Sequence, residues 1–217
     1  MTSNPIIAID PTHPEPALLQ HVAENLRKGR VVAYPTETFY GLGADAGNER
    51  AIEKIFSIKG RQFNNPIPLI IGDRDELDSL VTAIPEAAQR LIHVFWPGPL
   101  TLVFRASKNV SPRLTANTGL IGIRISSHPI ARSLARSLGA PLTATSANFS
   151  GQKESTTAHE VARTLGSLID GIVDGGQTRG NKGSTVVNIA VDPPLILRVG
   201  VITEIEIRKA LESTCPH

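Results

Sequence analysis

Short continuous apolar runs alternate with helical apolar stripes from one end of the chain to the other, the pattern of an α/β protein. After IIAI at residues 6–9, the segment PEPALLQHVAENLRKG sets Leu18, Leu19, Val22 and Leu26 on one face and predicts a helix stopping at Gly29. RVVAY returns as a strand, and Asn48 is placed to cap a helix that buries Ile52, Ile55 and Phe56 and ends before Gly60, with Lys59 at its edge. IPLII at 67–71 reads as a strand, Asp73 and Glu76 have capping-box spacing for a short helix, and Pro85 suits the first turn of another carrying Ala88, Leu91, Ile92 and Phe95. WPGP is a break; LTLVF and LIGIRI are strands; PIARSLARSLG is a helix with Leu134 and Leu138 inward and Gly139 as its C-cap. PLTAT, a helix around AHEVARTLGSLI, then GIVDGG, STVVNIA, LILRV and a last helix TEIEIRKALE complete the series. Several neighbouring strands have no helix between them, so one large sheet is expected, parallel in part and antiparallel in part, covered by helices. The stretch AYPTETFYGLG, residues 33–43, departs from this order: it begins as a buried strand and turns polar, aromatic and glycine-bearing, with Gly41 and Gly43 read as letting the chain turn away.

Composition narrows the class. With 217 residues, 41% hydrophobic and 19% charged, and no linker or repeat, the chain reads as one globular domain over 1–217. Its one cysteine, Cys215, excludes an intrachain disulfide and a cysteine-built metal site and suits a reducing compartment. The N-terminal stretch has no signal-peptide pattern, and no segment approaches the ~20 apolar residues of a membrane span, so a cytoplasmic protein without membrane attachment is expected. A net charge of +2 decides little, but cations fall in loops, where anionic ligands reach them: Lys59 and Arg61, Lys108 and Arg113, Arg179 and Lys182.

Neither of the two common nucleotide loops is present, and ATSAN lacks the elbow of a serine hydrolase. The six histidines show no ligand spacing, so no protein-built metal site is expected, and His128 before Pro129 reads as a helix-start residue. Polar clusters stand instead at strand ends: Thr36, Glu37, Thr38 and Tyr40; Lys59 and Arg61; Arg124; Ser146, Asn148 and Ser150; Ser184 and Thr185; Arg198. Taken singly, the hydroxyls and amides fit turns and caps, and Lys59 and Arg61 fit a solvated helix end. Taken together they are a surplus of hydroxyls and cations without a carboxylate pair or thiol, which suits binding and aligning anions.

The ordered set YPTETFYGLGADA, IFSIKGR with NNP, FWPGPLTLVF, GIRISSHPIA, TSANFSG, STVVNI and ILRVGVIT resembles the YrdC-like threonylcarbamoyl-AMP synthases over residues 15–210, in their short single-domain form. The resemblance implies an α/β fold with a twisted mixed sheet, covered by helices, and a concave basic cleft. It implies a nucleotidyltransferase that combines L-threonine, bicarbonate and ATP, with Mg²⁺ on the nucleotide, into threonylcarbamoyl-AMP and pyrophosphate. That product would serve the N6-threonylcarbamoyladenosine modification at position 37 of tRNA, through downstream threonylcarbamoyl-transfer proteins and with RNA contact a further expectation. The family's KxR and SxN signatures fall on Lys59, Arg61, Ser146 and Asn148, implied to meet the nucleotide phosphates and the reacting centre. Thr38, with Thr36 and Tyr40, would line the threonine pocket, Arg124 would clamp the substrate carboxylate, and Ser184 would add a contact; Asn65 and Arg198 match nucleotide-side positions. The chain departs from common family patterns at Ile70, nearest to where many relatives have a histidine, and at Ser126, Asn188 and Val199. Two other readings compete: an RNA-binding module without catalysis, although nine aromatics offer no basic-aromatic interleaving, and a related carbamoyl-adenylate-forming enzyme using another amine.

Overall fold

The computed structural model describes residues 5–60 and 65–212. The elements in chain order are β1 (Ile6–Ala8), α1 (Pro16–Arg27), β2 (Val32–Pro35), β3 (Tyr40–Gly43), α2 (Glu49–Lys59), β4 (Leu69–Ile70), a 3₁₀ turn at Arg74–Glu76 running into α3 (Leu77–Leu80), α4 (Glu86–Phe95), β5 (Leu100–Arg105), β6 (Leu120–Arg124), α5 (Pro129–Leu138), β7 (Leu142–Thr143), β8 (Thr145–Ser146), α6 (Ala158–Leu165), β9 (Gly171–Asp174), β10 (Thr185–Asn188), β11 (Leu195–Arg198) and α7 (Glu204–Glu212).

The strands form two mixed sheets where the sequence predicts one: β1-β9-β2-β3-β8 and β11-β10-β5-β6-β4-β7. The division lies in PLTATSA. Leu142 and Thr143 pair with β4 in the second sheet, whereas Thr145 and Ser146 pair with β3 in the first. Ala144 is the crossing point, its N–H donating to the Pro68 carbonyl at 2.8 Å. Thr143 ties the seam, its hydroxyl donating to the Leu42 carbonyl at 3.0 Å and accepting from the Ala44 N–H at 2.8 Å.

Period-2 alternation on β2 feeds two cores. Val32 and Tyr34 pack with Leu19, Val22, Leu26, Ile130 and Leu134 of α1 and α5, while Ala33 faces the larger core with Ile52, Ile55, Val161 and Leu165 of α2 and α6. The predicted caps are present. The Asn48 side chain accepts from the Ala51 N–H at 3.1 Å, Gly60 and Gly139 close α2 and α5 in the left-handed region, and Asp73 with Glu76 forms a capping box. His128 caps α5, its ring accepting from the Ile130 N–H.

Three expectations are corrected. The helix around AHEVARTLGSLI ends at Leu165 with Gly166 as its cap, and IPLII shortens to Leu69–Ile70. Gly41 and Gly43 do not turn the chain; they lie within β3, antiparallel to β2, with Gly41 opposite Tyr34. Glycine is needed there because the buried Tyr34 ring occupies the space: a Cβ on Gly43 would stand 2.9 Å from it and 3.0 Å from Leu142. The turn itself is 36–39, closed by the Thr36 N–H on the Phe39 carbonyl.

Candidate functional site

A cleft of about 410 Å³ opens over one face of the second sheet. Alternation along its strands builds the floor: Thr101, Val103, Gly122, Arg124 and Val186 face the cleft, while Leu102, Phe104, Ile121, Ile123 and Val187 face the core. Thr36, Thr38, Phe39, Tyr40, Gly41 and Ser146 form another wall, with Ser184, Arg198 and Glu154 also in the lining.

The wall is a turn that fastens itself. Thr36 Oγ1 donates to the Phe39 carbonyl at 2.7 Å and accepts from the Thr38 N–H at 3.2 Å. Because its proton is spent on Phe39, the 3.1 Å contact with Thr38 Oγ1 uses the Thr38 hydroxyl as donor, and Thr38 lines the cleft. Tyr40, fully buried in the wall, donates its hydroxyl to the Gly176 carbonyl at 2.8 Å. Burial, with the Asp174 carboxylate second, raises the Tyr40 pKa, so it remains a neutral phenol.

Arg124 ends β6 with only 7% of its surface exposed. Its Nη1 donates to Glu37 Oε1 at 3.0 Å, whereas its Nε and Nη2 have no partner among the described residues and keep access to the cleft. Arg198 wraps residue 184: its Nε and Nη2 donate to the Ser184 carbonyl at 3.1 and 2.9 Å, and Nη2 also reaches Ser184 Oγ at 3.1 Å. Thr101 Oγ1 shares a hydrogen bond of 2.9 Å with Ser184 Oγ. Burial, then the charge of Arg124, lowers the Arg198 pKa, with the Glu154 carboxylate opposing; a guanidinium remains charged throughout the ordinary range.

Lys59 is brought to Ser146 and Asn148, and it is buried at 3% exposure where a solvated helix end is one reading of the sequence. Its ammonium donates to the Asn148 carbonyl and to Asn148 Oδ1, both at 2.7 Å, and to the Ser146 carbonyl at 2.8 Å, with Ser146 Oγ at 3.3 Å. Ser146 Oγ donates to Asn148 Oδ1 at 2.7 Å. Of these three residues, Ser146 lines the cleft and the other two stand behind it. Asn65 is exposed and lies beyond the lining, and Arg61 lies outside the described residues. Sequence reasoning assigned no role to Glu37, Thr101 or Glu154. Thr101 had a signal, a lone hydroxyl within the apolar run LTLVF; Glu37 had only its place in the polar cluster.

The family model described as telomere recombination, covering the Sua5, YciO and YrdC proteins, matches residues 24–200. The chain belongs to this family. Among Sua5/YciO/YrdC proteins, a threonylcarbamoyl-AMP synthase of Bacillus subtilis strain 168 is 44% identical over 198 residues, covering 91% of this chain and 57% of the relative. A crystal structure of Sua5 from Pyrococcus abyssi complexed with L-threonine superposes with a TM-score of 0.92 at 40% identity, over 95% of this chain and 61% of that one. The structure of YciO from E. coli matches with a TM-score of 0.86 at 30% identity, over 94% and 98% of the two chains. The chain thus spans little more than half the length of the Bacillus and Pyrococcus relatives. The expected α/β fold of mixed parallel and antiparallel strands covered by helices is the fold of these relatives. Among the described residues no helix is long and apolar enough to cross a membrane.

Proposed function

We propose that the chain is an L-threonylcarbamoyladenylate synthase acting in the cleft over the second sheet. The observation that carries the reading is Arg124: a buried guanidinium with unspent donors at the cleft, beside the Thr38 and Ser184 hydroxyls. A carboxylate on the free edge of Arg124, with the remainder of an amino acid against Thr38 and Ser184, satisfies these groups. The L-threonine bound by the Pyrococcus relative supports threonine as that amino acid.

The reaction balances with the partners named. The threonine amine adds to bicarbonate, giving a carbamate and water; a carbamate oxygen then attacks the α-phosphorus of ATP, and the bond to the β-phosphate breaks to release pyrophosphate. The carbamate and ATP that must meet are both anionic, so the catalytic requirement is alignment and charge compensation. Arg124 and Arg198 supply that compensation, with Ser146 Oγ on the nucleotide side. Lys59 and Asn148 act by fixing the Ser146 turn. Arg61 and Asn65 belong to the nucleotide side by their place in the KxR and NNP motifs. No cluster of three or more His, Cys, Asp or Glu suited to a metal ion occurs among the described residues. Mg²⁺ would arrive on the triphosphate, where it would screen phosphate charge. The product would pass in the cytoplasm to threonylcarbamoyl-transfer proteins acting on tRNA.

The test is isotopic. With ATP, Mg²⁺, L-threonine and ¹³C-bicarbonate, mass spectrometry should find an adenylate carrying both threonine and the label. Label appearing only with a different amine would replace the substrate, and no labelled adenylate with any amine would remove the activity.

A further inference from the structure

Beneath the cleft, Glu37 and Arg124 form an ion pair whose side chains retain 11% and 8% of their exposure. Arg124 reaches the lining and Glu37 does not. Glu37 is itself held. Its Oε1 accepts from Arg124 Nη1 at 3.0 Å, and its Oε2 accepts from the hydroxyl of Ser126, which is fully buried. Ser126 Oγ in turn accepts from the His128 N–H at 3.1 Å, at the start of α5. A chain of contacts therefore runs from the helix start through Ser126 and Glu37 to one edge of the guanidinium, and leaves the opposite edge facing the cleft.

An arginine at the end of a four-carbon stem has many rotamers, and a fork of N–H donors binds a carboxylate well only when its plane is fixed. We propose that Glu37 is the positioning residue for amino-acid recognition: it occupies the inner edge of Arg124 so that the outer edge is presented, already oriented, to the substrate carboxylate, and Ser126 locks Glu37 in that role. The inference rests on the proposed function for the identity of the carboxylate. Orientation, not charge, is its content. Glu37 is bonded to the guanidinium and does not reach the cleft lining, and its negative charge opposes binding of a second carboxylate while its hydrogen bond favours it. Glutamine keeps an acceptor for Arg124 and removes the charge; alanine removes both.

The discriminating experiment measures L-threonine binding by calorimetry and the KM values for threonine and ATP in the full chain, with Glu37→Ala, Glu37→Gln and Ser126→Ala. The expected result is a KM and Kd for threonine raised at least ~10-fold in Glu37→Ala and a few-fold in Ser126→Ala, with Glu37→Gln close to the parent and the KM for ATP within about two-fold throughout. Thermal melts identify any variant that does not fold; if Glu37→Ala is one, Ser126→Ala and Glu37→Gln carry the test. Unchanged threonine affinity in the folded Ala variants, equal rises in both KM values, or a Gln variant as weak as Ala would overturn the proposal. Failure of the unmodified chain to bind threonine would overturn the functional reading and the inference with it, an outcome separate from equal binding by parent and variant.

Discussion

The Lys59 ammonium lies 2.7 Å from both the backbone and the side-chain oxygen of Asn148, 89 residues away in sequence. The contact joins the end of α2 to the turn after β8 and defines the cleft wall at Ser146. Lys59→Met should therefore act on the fold as well as on the chemistry. It leaves buried oxygens without a donor, at roughly 1–3 kcal/mol each. We expect a fall of at least ~2 kcal/mol in unfolding free energy by denaturant titration, with kcat/KM for ATP reduced ~30-fold or more. A lysine that only touched phosphate would lower activity and leave the denaturation midpoint unchanged.

The two threonines of the 36–39 turn should separate in the same way. Thr36 spends its hydroxyl on the Phe39 carbonyl and accepts the Thr38 N–H, so Thr36→Val strands a buried N–H. It should cost about 1–3 kcal/mol, a drop of several degrees in Tm. Thr38→Val keeps those turn bonds and removes a hydroxyl from the cleft lining. Its main effect should be a threonine KM raised ~10-fold, with a smaller change in Tm.

Much of this was legible in the sequence, because local signals and burial agreed. Asn48, Gly60, Asp73 with Glu76, and Gly139 cap the elements as their spacing predicts. The polar strand ends at Thr38, Arg124, Ser146, Ser184 and Arg198 converge on one cleft. What was not legible depends on long-range pairing. PLTAT carries no local mark that Ala144 separates two sheets, since the division is made by β4 on one side and β3 on the other. YGLG lacks strand propensity, and its glycines are explained only by the Tyr34 ring across the pair. Lys59 looked like a helix-end cation because its acceptors come from residues 146 and 148.

Gly43 tests the packing of β3 against the Tyr34 ring. Alanine there places a methyl 2.9 Å from the buried Tyr34 ring, and neither the ring nor Leu142 has open space to retreat into. Gly43→Ala should destabilise by about 1–3 kcal/mol. Gly60→Ala meets no neighbouring atoms and is strained only through its φ of 61°, so it should cost less, about 1 kcal/mol.

His128 predicts an acid-side loss of stability. Burial lowers its pKa below the ordinary 6.5, Glu37 opposing, so the ring is neutral at neutral pH and its Nδ1 can accept from the Ile130 N–H. The unfolded chain binds the proton more readily than the folded one. The His128 contribution is thus complete above 6.5 and is lost as pH falls from there through the folded value. Comparing melts at about pH 7.5 and about pH 5.5, His128→Asn, a cap that does not titrate, should show the smaller decrease. Equal decreases in parent and variant would remove His128 as the source.

If the cleft joins three substrates in one reaction, withholding each in turn must stop it. Pyrophosphate release from ATP should require L-threonine and bicarbonate together, cease when either is withheld, and fall at least ~10-fold in Arg124→Lys at subsaturating threonine. Pyrophosphate released at the full rate without threonine, or no release with all three present, would contradict the account.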